Sequence, residues 1–175
     1  MKKSFTLIEI VIVIILLGIL TSVTIPSFSG YIKNAQSVDA VTIHKNFSKA
    51  FLLEKVNWQA GLMENNQTDI ISTADNHIYT LTFSGETYLI SEVSRDDGST
   101  YSANSAETDQ YCDYVFQAFT GVPKRRADPI DNPTLHEWIV SFDTPNCKYS
   151  HRYSEQEFTY DIVTGDISQL LATQN

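Results

Sequence analysis

Between Lys3 and Lys33 the chain carries one charged side chain, Glu9. Around it runs FTLIEIVIVIILLGILTSVTI, Phe5 to Ile25, almost wholly aliphatic. As a helix rising 1.5 Å per residue this stretch covers about 32 Å, the thickness of a hydrocarbon core. Any fold of this chain has to set that run among lipid or other apolar surface. A charged residue costs roughly 2.5–3.5 kcal/mol at the centre of a membrane span and less near its end, so Glu9 calls for a purpose. A cleavable secretory signal is the competing reading, and Ser27 and Ser29 offer its small-x-small pattern. Such a signal has an apolar region of about 7–15 residues and no acid. Length and Glu9 favour a retained helix, and Lys2 and Lys3 ahead of it predict a cytoplasmic N-terminus with the rest across the membrane.

Pro26 interrupts helical hydrogen bonding, yet the apolar period resumes beyond it. Phe28, Tyr31, Ile32, Ala35, Val38, Val41, Phe47, Ala50 and Phe51 keep helical spacing, with Lys33, Asn34, Ser37, Asp39, His44, Lys45 and Lys49 opposite. The spacing predicts an amphipathic continuation to about Gln59, stopped by Gly61. Glu64 to His77 reads as a polar loop. Ile78 to Phe83 alternates with Tyr79, Leu81 and Phe83 on one face. Ser84-Gly85-Glu86 turns it into a second strand, Thr87 to Val93. Asp96-Asp97-Gly98-Ser99 is turn chemistry. Cys112, Val115, Phe116 and Phe119 predict a short helix ended by Gly121, and 123–133 a Pro/Asp-rich loop. Trp138–Phe142, Cys147–Tyr153 and Phe158–Ile162 read as strands, and Thr164-Gly165-Asp166 turns into a short last one. The sum is an α+β fold: a helical spine of roughly 55 residues packed on a C-terminal antiparallel sheet head.

The formal net charge is −9 over 175 residues, and −11 without Lys2 and Lys3. A head this acidic is a poor general binder of DNA or anionic lipid. Cys112 and Cys147 are the only cysteines. In an exported domain two thiols read as one disulfide, with two buried free thiols as the alternative. Neither has the neighbouring His or Cys of a zinc motif.

The N-terminal stretch resembles the type IV pilins and pseudopilins. The match is Phe5-Thr6-Leu7-Ile8-Glu9, an aliphatic run containing Gly18 and ending near Pro26, and Tyr31 beyond. The two-cysteine head, with Phe158-Thr159-Tyr160-Asp161 and Thr164-Gly165-Asp166, is similar to mannose-sensitive haemagglutinin pilins. The resemblance implies a pilin fold in four parts: a leader at 1–4, a transmembrane or filament-core helix at 5–27, an amphipathic helix at 28–61, and a disulfide-looped head at 62–175. It implies cleavage between Ser4 and Phe5 by a prepilin peptidase and N-methylation of Phe5. Ser4 stands where the family nearly always has Gly; it too is small. Assembly residues by the same resemblance are Glu9, Phe5, Thr6 and Pro26. Glu9, four residues after the new α-amino group, would neutralise that of a neighbouring subunit, whereas a charge snorkelling to headgroups is the plainer alternative.

The expected function is therefore a structural subunit of a type IV pilus supporting adhesion or motility. It would start as an inner-membrane precursor and end in an extracellular filament of like subunits and other pilins, with the inner-membrane assembly machinery as partner. A minor pilin or secretion pseudopilin is the variant reading, and a single-pass anchored sensor or binding protein the reading from another class. Lys124, Arg125 and Arg126 form the one basic cluster of the head, a ligand contact or a solvated loop. Asp128, Asp131 and Asn132 could ligate calcium but follow no EF-hand pattern, and His136-Glu137-Trp138 is not a zinc-protease motif. No catalytic constellation and no cofactor or metal is expected.

Overall fold

The computed structural model describes residues 7–72, 76–85, 87–122 and 137–172, with backbone alone at 23–30 and 33. Two compact units divide the chain, Met1–Gln36 and Ser37–Asn175. Helix α1 (Leu7–Gln59) contributes to both.

In the first unit α1 is mostly aliphatic as far as Leu20, and every side chain described from Leu7 to Ser22 is exposed. In the second unit one stripe of α1 goes inward. Ala40, Phe47 and Phe51 are buried, with Ile43, Ala50 and Trp58 packed beside them, at the spacings of a single helical face. The helix stops at a glycine, as its sequence dictates. Gly61 takes φ +68°, its N–H reaches Trp58 O, and the Leu62 N–H reaches Asn57 O at 3.0 Å. These two bonds satisfy the last carbonyls, and the left-handed residue between them is tolerated only without a Cβ strain.

The strands form two antiparallel meanders. The first sheet orders β1 (Gln67–Ile71), β2 (Ile78–Phe83), β3 (Ile90–Arg95) and β4 (Thr100–Ser102); the second orders β5 (Trp138–Asp143), β6 (Asn146–His151), β7 (Gln156–Asp161) and β8 (Leu171–Ala172). Strand β2 alternates as expected, with Tyr79, Leu81 and Phe83 inward. Helix α2 (Thr108–Thr120) belongs to both sheets and is buried from Tyr111 to Phe119. Towards the first, Tyr111 OH donates to Ile90 O at 2.7 Å and Tyr79 OH to Gln117 Oε1 at 2.8 Å. Towards the second, Tyr149 OH donates to Cys112 O at 3.1 Å, and Cys112 is disulfide-bonded to Cys147 of β6. The sheets also meet through backbone, since the Leu89 N–H donates to Ile162 O at 2.9 Å.

The expected architecture needs correction. The head is not one antiparallel sheet carrying a long helix but a mixed α/β unit of two four-stranded sheets, with α2 buried against both. Alternation along a strand fixes which face is buried but not which strand it pairs with, so one sheet and two read alike. Strand β1 lies in the stretch read as loop; at an edge, with its side chains alternating exposed and half-buried, it needs no apolar face. Nor does the stripe of α1 hold throughout: Tyr31, Ile32 and Val38, read as inward, are exposed, while His44, read as outward, donates from Nε2 to Ser168 O at 3.0 Å.

The membrane-spanning half of the helix is corrected too. Among the described residues no helix is long and apolar enough to cross a membrane. The inner-membrane precursor expected from the sequence loses its basis with that finding.

Candidate functional site

What the first unit offers is a surface. Leu7 and Ile8 are 81% and 66% exposed, and the aliphatic side chains from Ile10 to Leu20 all remain more than two-fifths exposed. The hydroxyls that follow do not make the surface polar. Thr21 Oγ1 donates to Leu17 O at 2.9 Å and Ser22 Oγ to Ile19 O at 2.8 Å, each spending its hydrogen on a carbonyl of its own helix. Gly18 leaves a notch, where an added Cβ would meet nothing within 4 Å. Glu9 stands exposed in the first turn, where the positive end of the helix dipole favours an acid. What such a surface offers is apolar area, and each aliphatic side chain fully buried contributes about 1.5–3 kcal/mol.

Of the remaining site residues read from the sequence, Cys112 and Cys147 are joined, closing a loop with a sequence separation of 35. The helical backbone continues through Pro26. Ser4, Phe5, Thr6, Lys124, Arg125, Arg126, Asp128, Asp131, Asn132 and His136 lie outside the described residues.

A cleft of about 380 Å³ opens in the second unit beside Tyr88, Asn104, Thr108, Phe142 and Pro145. Its described lining holds hydroxyls, those of Tyr88, Ser105 and Thr108 among them, but no carboxylate, imidazole, amine or thiol. One cluster escaped the sequence reading. Asp39, Glu137 and His151 come from α1, the residue before β5 and the end of β6, and their ligating atoms lie within 4.8 Å of one another. Positions so far apart form no motif, and only the tertiary fold brings them together.

No family model matches the chain, and neither a curated protein nor a solved structure matches it.

Proposed function

We propose that the chain is a structural subunit of a type IV pilus filament, joined to copies of itself and to other pilins by bundling of its N-terminal helices. The observation that carries this reading is the exposed aliphatic surface from Leu7 to Leu20, interrupted only at Glu9 and Gly18. A surface of that extent calls for a partner, and a second copy of the same helix offers equally apolar packing with a notch at Gly18 for close approach.

Glu9 sets the register of the bundle. Cleavage before Phe5 by a prepilin peptidase creates an α-amino group on the same helical face as Glu9. Among packed aliphatic side chains a carboxylate is costly unless it meets a cation, so pairing with the α-amino group of a neighbour rewards one stagger over the rest. This use of Glu9, like the cleavage itself, rests on the resemblance of Phe5-Thr6-Leu7-Ile8-Glu9 to the pilins.

The test is filament assembly with a variant as the sole subunit. Glu9→Ala and Glu9→Gln should both leave the melting curve of the purified chain unchanged and abolish or greatly reduce filaments seen by electron microscopy. Subunits from wild-type filaments should begin at Phe5, N-methylated, by mass spectrometry. Wild-type filament numbers from both variants would reject the role of Glu9, and the absence of filaments from the wild-type chain in a pilus-competent cell would reject the function.

A further inference from the structure

We propose that Asp39, Glu137 and His151 form a binding site for a divalent transition-metal ion of the zinc class, which ties α1 to the second sheet.

The site is built around a buried imidazole. His151 is 2% exposed, and its ring is fixed from two sides. The edge-on ring of Trp138 lies 5.1 Å away, and Trp138 and His151 are paired across β5 and β6. Nδ1 faces Ser154 Oγ at 2.8 Å. Nε2 points instead at carboxylates. Asp39 Oδ2 lies 3.8 Å from it, beyond hydrogen-bond reach. Two ligands of one tetrahedral zinc ion stand about 3.4 Å apart, from bonds of about 2.0–2.2 Å. The Asp39 side chain is 48% exposed, so it has the freedom to close that small difference. Glu137 is held by backbone, since the Arg152 N–H donates to Glu137 O at 2.8 Å and so anchors the acid beside the residue that precedes Arg152. On the helix side, Ser37 Oγ reaches Gln156 Oε1 at 3.5 Å and His44 Nε2 donates to Ser168 O. These contacts fix the turn of α1 that carries Asp39 over the second sheet.

The chemistry of the donors selects the ion. One imidazole nitrogen and two carboxylates suit zinc and its neighbours, whereas calcium and magnesium favour all-oxygen sites. Two negative charges with a neutral imidazole balance a divalent cation. Burial lowers the pKa of His151, against the raising effect of Asp39 and Glu137, which keeps the ring neutral and available. Three protein ligands leave a fourth position, taken by water or by a side chain of another molecule.

Loading carries a signature. Here the Ser154 backbone N–H donates to Nδ1 at 3.2 Å, which leaves the proton of the neutral ring on Nε2. A metal needs the Nε2 lone pair, so that proton must move to Nδ1, where Ser154 Oγ accepts it and the bond from the Ser154 backbone N–H is given up. No net proton leaves the ring. The outer hydrogen bond then orients the ligand, as is usual for metal-bound histidine.

The experiment uses the purified, disulfide-intact full chain and zinc chloride alone. Calorimetric titration should find one equivalent bound, with a rise in melting temperature that grows with zinc concentration. In nitrogen-detected NMR the His151 proton should move from Nε2 to Nδ1. His151→Asn removes the central ligand but also alters a buried site, so the decisive variants are Asp39→Asn and Glu137→Gln. Each should weaken zinc binding at least about tenfold while the zinc-free melting temperature stays near that of wild type. Asp96→Asn, which removes the carboxylate hydrogen-bonded to His77 at 2.6 Å, should bind as wild type. Unchanged zinc affinity in either Asp39→Asn or Glu137→Gln, or no binding by the wild-type chain at about 0.1 mM zinc, overturns the assignment.

Discussion

Tyr111, Tyr149 and Tyr160 place three phenols in the core at 0% exposure, and burial is the leading reason that all three ionise above the usual phenol range. The sign follows from linkage. The unfolded chain loses its phenol protons near pH 10, while the folded core holds them. Stability from these groups is therefore complete below about pH 10 and declines as pH rises towards the folded values. In a titration followed by phenolate absorbance, Tyr111, Tyr149 and Tyr160 should stay silent while the chain is folded and appear only as it unfolds. A urea-unfolded sample should titrate all nine tyrosines together near pH 10; the same curve from the native chain would disprove burial. At this scale the sequence was partly legible. The inward set Tyr79, Leu81 and Phe83 announced itself by alternation. His44 and His151 did not, because a histidine on a helix or strand looks polar until its partner, here a carbonyl or a carboxylate, comes from elsewhere in the fold.

At the scale of elements, α2 and β6 are locked by Cys112–Cys147, the pairing expected for the only two cysteines of the chain. Helix α2 was legible because its apolar residues repeat with helical spacing and Gly121, at φ +68°, ends it. That it lies against both sheets was not, since the polar Asp113 and Gln117 on it are buried as well. Gln117 goes inward because Tyr79 donates to it, a partner that periodicity cannot reveal. The disulfide matters most to the unfolded chain. Closing a loop of this length contributes about 3–4 kcal/mol in the chain-entropy model. The Cys112→Ser, Cys147→Ser double variant should lose about that much in urea unfolding monitored by circular dichroism. A loss under about 1 kcal/mol would mean that α2 and β6 are held by packing alone and that the cross-link adds little.

Over the whole molecule, the two units answer to different demands. The first keeps its aliphatic side chains outward and lends itself to association; the second buries its own. The sequence distinguished these by the apolar run and the amphipathic stripe, but it could not say where the stripe begins to be used. The structure shows that use from Ala40 onward, with Phe47 at its centre. Phe47 is 0% exposed, and its ring meets Phe119 of α2, Tyr149 of β6 and Phe158 of β7, each at 5.4 Å between centroids. One side chain thus fastens α1 to the buried helix and to the second sheet. Phe47→Ala should cost about 3–5 kcal/mol by denaturant unfolding, because a core aromatic is lost and its space is walled by other rings that cannot collapse into it. Leu53, on the same helix but 59% exposed, provides the comparison. Leu53→Ala should change the stability of the isolated chain by no more than about 0.5 kcal/mol. Equal effects of the two substitutions would show that α1 is not anchored through Phe47.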